Sequence, residues 1–241
     1  LAVAFVARYP ETNFSPPYNE GALFVETLYK GERGLYCLAM PVTDDMAMIG
    51  GREYYGFPKK IADEITLDRD GGHVIGSVVR KGTELLHIEA ELTDNASPAD
   101  IGFTVTEDLD GKTAIKAVSF LFKYFPSATT RGFEHPPRLI RQVSLLTPRA
   151  DLETGAGKVE LVSTRFDPLG EIPVAELVTV SYGVFDSVML PGTVAAQVRN
   201  PLRFARHSLF KSDGPVYLRE RGLAPMSGRR RRRLRKAIAR Y

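Results

Sequence analysis

The sequence predicts a mainly β protein, an α+β chain with few and short helices. Three observations predict it. Residues 1–198 carry short runs of β-branched and aromatic residues divided by Gly, Pro, Asn and Asp, apolar and polar positions alternate with a period of two, and helical periodicity is scarce. Repeated antiparallel pairing over such a length predicts a closed barrel or a sandwich. With 44% hydrophobic residues among 241, the chain can bury a sizeable core, and one large domain suits this length.

The elements follow in order. The apolar opening run, residues 1–7, reads as the middle of a strand, and because it starts without methionine we expect a missing N-terminal piece. Strands are predicted at 22–29 and 34–40. A meander follows, with strands at 62–67, 73–80 and 83–92 joined by turns at Asp70-Gly71-Gly72 and Lys81-Gly82. In its last strand Leu86, Ile88, Ala90 and Leu92 alternate with His87, Glu89 and Glu91, so one face is core and the other solvent. Further strands are predicted at 117–124, 138–147, 158–166 and 178–190. Short helices are predicted at 98–109 and 173–177, where Pro98 and Pro173 open the first turn.

Several function classes find no support. No HExxH, P-loop or GxSxG motif occurs, and no GxGxxG stands between a strand and a helix. None of the four histidines has a persuasive partner: Glu84 and His87, three apart on a predicted strand, should point to opposite faces. The lone Cys37 makes neither an internal disulfide nor a metal site and reads as a small core residue. No apolar run reaches the roughly 18–20 residues of a membrane span and no secretion signal is visible, so a cytoplasmic protein is the default. Residues 199–241 hold 14 Lys/Arg against Asp213 and Glu220, a net +12, while the whole chain is only +3. This basic extension ends in eight Lys/Arg within 229–241. A solvated tail is favoured over contact with nucleic acid or an anionic surface, because Tyr241 is the one aromatic residue within 229–241.

The stretch GREYYGFPKKIADEI, residues 51–65, holds the sharpest candidate. Two apolar segments precede it, GLYCLAMPV and MAMIGG, and both are expected to be buried, with Tyr54, Tyr55 and Phe57 crowding Lys59 and Lys60. Pro58 fixes its own φ and pushes Phe57 toward extended backbone. On extended backbone the two lysines point to opposite sides, so at most one enters the interior. An ordinary lysine is neutral only about once in 2,500 molecules at pH 7. Apolar surroundings disfavour the ammonium, and a neutral amine condenses with a ketone to an imine.

These residues carry a resemblance. Gly51-Arg52-Glu53, a short apolar spacer and Pro58-Lys59-Lys60 resemble the signature of the acetoacetate decarboxylase family, itself a standard instance of an activated lysine nucleophile. The resemblance implies that Lys59 forms the Schiff base and that Lys60 is its neighbour. The opposite-sides argument favours desolvation of Lys59 over the charge of Lys60 as the activating influence. PPYNEG, residues 16–21, resembles the segment that ends in an active-site glutamate, here Glu20. Met40 falls at an apolar position near the lysine, with Phe57 as a further wall of the substrate pocket. FDPLGEIPVAELVTVSYGVFDSVMLPGTV, residues 166–194, resembles the family's closing segment. A second acid of the family pattern falls near Phe5, where this chain has none, and the family's active-site arginine precedes its first residue.

The resemblance implies a closed β-barrel or cone over residues 1–198 followed by a basic extension at 199–241, assembled as a homo-oligomer. It implies a Schiff-base decarboxylase acting on acetoacetate or a related β-keto acid, with no metal or organic cofactor. The alternative outcomes are aldol or dehydration chemistry on a 2-oxo acid such as pyruvate. From another class comes a non-catalytic binding module whose basic tail binds polyanions.

Overall fold

A computed structural model describes residues 1–127, 133–200, 204, 211 and 213. The basic stretch 229–241 lies outside them. The architecture is mainly β: strands make up 58% of it, in curled sheets that form a half-barrel with one short helix.

The strands are β1 (Ala2–Tyr9), β2 (Tyr18–Tyr29), β3 (Glu32–Val42), β4 (Lys59–Ile61), β5 (Glu64–Asp70), β6 (His73–Arg80) and β7 (Thr83–Ala96). They continue as β8 (Val105–Glu107), β9 (Thr113–Lys123), β10 (Arg138–Pro148), β11 (Leu152–Leu161), β12 (Val180–Tyr182), β13 (Phe185–Met189) and β14 (Thr193–Gln197). A nine-stranded sheet runs β1-β2-β3-β9-β10-β13, with β4 beside β3, β8 beside β9 and β14 beside β10. A five-stranded sheet runs β12-β11-β7-β6-β5. The second sheet packs on one face of β1–β3, where Ala4 and Val6 meet Ile65, Val78 and Leu86. The other face is enclosed by the curl of the large sheet itself, where Phe5, Ala22, Phe24, Cys37 and Met40 meet Leu121 of β9 and Phe57. That enclosed face holds the candidate site.

The meander is present with both predicted turns, and positive φ at Gly71, Lys81 and Gly82 matches the turn chemistry. The predicted helices are not formed. At Pro98 a single turn closes, and Gly102 at φ +85° ends it before the β-branched Val105-Thr106 pair with β9. Residues 173–177 are irregular, since Ile172 offers no capping side chain and five residues are too few to propagate a helix alone. The α-helix α1 (Asp45–Gly50) starts where the Asp44 carboxylate accepts from the Ala47 amide at 2.8 Å, and it runs into a π turn over Gly51–Tyr55. The burial expected of MAMIGG is met only in part: Ala47 is buried while Met46 and Ile49 face outward. Tyr54 is exposed as well and does not crowd the lysines, whereas Tyr55 packs on Phe57.

Two strand predictions differ most from the structure, while β2, β5, β7 and β9 shift by a few residues at one or both ends. β11 begins six residues earlier than expected, behind Gly155 and Gly157, whose missing side chains hide the alternation. The stretch 178–190 divides at Gly183, and β12 joins the small sheet while β13 joins the large one. A bulge in β7 corrects the histidine reading: Val78 pairs with Leu86 but Val79 pairs with Glu84, so the extra Leu85 turns Glu84 onto the face of His87. Glu84 and His87 then meet at 2.9 Å, and His73 meets Glu89 at 3.0 Å, so two histidines do have carboxylate partners.

Candidate active site

Glu20 lies on β2 with its neighbours at a spacing of two, Tyr18 and Ala22, on the enclosed face. Lys59 reaches the same face from β4, which pairs in parallel with β3 so that Met40 stands opposite Lys59. Lys59 Nζ donates to Glu20 Oε2 at 2.7 Å, and the two residues are 5% and 4% exposed. The Tyr18 ring centroid lies 5.4 Å from Nζ, and Tyr9 stacks on Tyr18 at 4.8 Å. Around this pair Met40, Phe57, Ala22, Phe24 and Cys37 form a contiguous apolar wall. Phe5 belongs to the same wall, stacked on Phe24 at 6.1 Å.

The site is thus a buried ion pair in apolar surroundings, called the chamber below. Desolvation of Lys59 was the favoured activating influence; burial is met, but the ammonium also has a carboxylate partner in direct contact. Burial, with the Glu20 charge, raises the Tyr9 and Tyr18 phenols well above their ordinary range, and both remain neutral donors. Burial also pushes up the Cys37 thiol, whose Sγ donates to the Ala39 carbonyl at 3.4 Å, in keeping with an inert core cysteine. Among the described residues no group of His, Cys, Asp or Glu has metal-site geometry.

Lys60 points away from the chamber. Its Nζ donates to Asp167 Oδ1 at 2.8 Å and to the Phe166 carbonyl at 2.9 Å, and it lies 3.2 Å from Asp213. Arg80 pairs with the same two aspartates and donates to the Ile61 carbonyl at 3.0 Å. The structure therefore brings Lys59, Glu20, Met40 and Phe57 together and leaves Lys60 behind the strand.

Sequence reasoning missed four contributors. Tyr18 was readable in principle, two residues before Glu20 on a strand. Gly51 leaves room for the lysine: a Cβ there would come within 2.6 Å of Lys59 Cε. Arg52 donates to the Lys59 carbonyl at 3.3 Å, which fixes the peptide that carries the amine. Arg80 carried no local signal, being 20 residues further along the chain. A cavity of ≈ 280 Å³ lined by Arg8, Tyr9, Pro10, Pro17, Tyr18, Asn19 and Thr43 opens beside the stacked tyrosines.

Comparison with known proteins assigns the chain to one family. The family model for acetoacetate decarboxylase matches residues 1–198. The chain belongs to the acetoacetate decarboxylase family. Curated relatives include a CLA biosynthesis isomerase from Lactiplantibacillus plantarum, 29% identical over 199 residues, covering 80% of this chain and 70% of that protein. An acetoacetate decarboxylase from Paraburkholderia phytofirmans is 28% identical over 193 residues, covering 78% of this chain and 69% of its own. Among solved structures, acetoacetate decarboxylase from Legionella pneumophila superposes with a TM-score of 0.70 at 22% identity, covering 83% of this chain and 75% of that one, and shares the fold. Among the described residues no helix is long and apolar enough to cross a membrane.

Proposed function

We propose that the protein is a Schiff-base decarboxylase of acetoacetate or a related β-keto acid, with Lys59 as the nucleophile. The observation that carries this reading is the buried Lys59–Glu20 contact of 2.7 Å inside an apolar chamber, in a chain of this family. Glu20 is within hydrogen-bond reach to take the proton that must leave Nζ before attack. Nζ adds to the substrate ketone, Glu20 returns its proton to the carbinolamine hydroxyl, and loss of water gives a protonated imine beside a carboxylate again. The electrons of the breaking C–CO2 bond flow into that iminium, CO2 departs, and an enamine is left. Protonation of the enamine carbon and hydrolysis of the resulting iminium return the ketone and free Lys59. The surrounding hydrocarbon disfavours the substrate carboxylate relative to neutral CO2, and Glu20 adds repulsion in the same direction. The substrate enters past Tyr18, which borders both the outer cavity and Lys59. Lys60 holds the strand from behind. No metal or organic cofactor takes part, and the protein works as a homo-oligomer in the cytoplasm.

The test is borohydride reduction in the presence of acetoacetate, followed by peptide mass mapping of residues 51–65. A reduced adduct on Lys59 is expected, together with CO2 release. Lys59→Arg should give neither, because guanidinium stays protonated and cannot form the imine. Turnover retained in that variant overturns the mechanism. The relatives include an isomerase beside decarboxylases, so the products must be read as well. Consumption of pyruvate with an aldehyde, without CO2 release from acetoacetate, would keep Lys59 and change the reaction to an aldol or dehydration.

A further inference from the structure

The family match ends at residue 198, yet two described residues beyond it, Lys211 and Asp213, contact the segment that carries the lysines, and a third, Phe204, packs beside it. Phe204 is buried among the rings of Phe122, Tyr124 and Phe133, with centroids 4.8, 5.2 and 5.7 Å away. Lys211 donates from Nζ to the carbonyls of Gly56 and of Phe122, the latter at 2.9 Å, and lies 4.5 Å from the Tyr124 ring centroid. Asp213 sits between Arg80, Lys60 at 3.2 Å and Lys81 at 3.5 Å. Gly56 and Lys60 lie on either side of Phe57-Pro58-Lys59, so the extension grips the catalytic segment at both ends.

The segment needs such a grip. β4 is three residues long and among the described strands pairs only with β3, and so short a ladder holds its register weakly. Misplacing a reacting group by about 1 Å costs on the order of 10²-fold in rate. We propose that Lys211 and Asp213 are positioning residues of the active-site scaffold: Lys211 holds the backbone before Lys59 at the Gly56 carbonyl, and Asp213 holds the Lys60 side chain after it. The proposal rests on the reading of Lys59 as the imine-forming lysine.

The two contacts respond differently to pH. Burial opposes the Asp213 charge, but Arg80 and Lys60 outweigh it and hold the carboxyl below its usual range, so that contact persists near neutrality. Burial and the Arg52 guanidinium push the Lys211 ammonium down to about 7. The other groups facing Lys211 are the Cys37 thiol on β3 and the Tyr124 phenol after β9; both are raised and neutral there. The docked amine binds its proton less tightly than the free one, so docking releases a proton. Docking therefore strengthens as pH rises above about 7, by up to about tenfold per unit, and levels off below it.

The test uses full-length Lys211→Met, Asp213→Asn and Asp213→Ala, checked for folding by thermal unfolding. Two readouts are followed: borohydride trapping at Lys59 with acetoacetate, and hydrogen exchange of the amides of residues 56–61. Expected are trapping rates down about tenfold or more and lost protection in that segment. Acetate should restore both in part to Asp213→Ala and leave wild type unchanged. Wild-type protection, corrected for intrinsic exchange, should grow between pH 7 and 8, and in Lys211→Met it should not. Folded variants with wild-type protection, or no response to acetate, overturn the clamp. If wild type itself gives no adduct at Lys59, the imine reading fails, and hydrogen exchange still decides whether the clamp exists.

Discussion

At the scale of the residue, the Lys59–Glu20 contact bears on stability and, in the proposed mechanism, on chemistry. Either charge alone would be costly in this wall of Met40, Phe57 and Phe24, and the pair is tolerable because each neutralises the other. Glu20→Gln keeps the shape and one acceptor oxygen but removes the base and the counter-charge. Two losses should follow. Turnover should fall by about 10²–10⁴-fold, the usual contribution of a positioned acid–base group. Stability should fall by about 3–5 kcal/mol, because a buried ammonium is left without its partner. Denaturant unfolding of Glu20→Gln, Lys59→Met and the double variant measures the coupling directly. If the two single losses simply add, the pair carries no shared energy and Glu20 acts on something other than Lys59.

At the scale of the element, the π turn is what aims the lysine, and its two end glycines do different work. Gly51 has ordinary helical backbone, φ −61° and ψ −39°, so an alanine is acceptable to the main chain there. The new Cβ would instead meet Lys59 Cε at 2.6 Å and Cδ at 2.7 Å, the flexible part of one side chain. Gly56 has φ +98°, and a Cβ there would strike the Phe122 carbonyl oxygen at 2.7 Å and the Lys123 amide nitrogen at 2.8 Å. Gly51→Ala should therefore leave stability within about 1 kcal/mol and slow imine trapping at Lys59 by tenfold or more, roughly. Gly56→Ala should cost about 1–3 kcal/mol or more through the backbone. Unfolding curves and trapping rates on both variants check the contrast, and Gly51→Ala trapping at the wild-type rate would show that the lysine is aimed by something else. The same turn marks where the sequence was hard to read. Glu20, Lys59 and the two walls Met40 and Phe57 were legible because a short motif fixes their order and strand alternation fixes their side. A six-residue helix running into a π turn leaves no repeat long enough to detect, and one inserted residue at Leu85 was enough to reverse the predicted facing of Glu84 and His87. Lys211 and Asp213 were hidden for another reason: in a segment of net +12 they looked like ordinary solvated charges, and their partners lie up to 155 positions away.

At the scale of the whole molecule, the closing stretch of the domain is built to be covered. Residues 172–194 leave Val174, Leu177, Val178, Val184, Val188 and Met189 between 38% and 71% exposed, where a self-contained domain would turn such side chains inward. β13 is also the terminal strand of the large sheet, with β10 on one side and its other backbone edge unpaired among the described strands. Apolar surface beside an open strand edge suits a second copy of the same chain, consistent with the proposed homo-oligomer, since a symmetric contact can pair both edges and cover both patches at once. Light scattering coupled to gel filtration should then give a multiple of the chain mass for wild type. Val178→Asp together with Val188→Asp should shift it toward the single chain, because burying two carboxylates in an apolar interface costs more than such a contact returns. Both positions are remote in sequence from Lys59, so the dissociated variant separates two roles for assembly. Trapping at the wild-type rate in the single chain would mean that each chamber is complete within one protomer; a lost adduct with an unchanged unfolding midpoint would mean that assembly shapes the chamber. A wild-type protein that runs as a single chain at micromolar concentration would remove the oligomer, and the exposed stretch would then need a different partner.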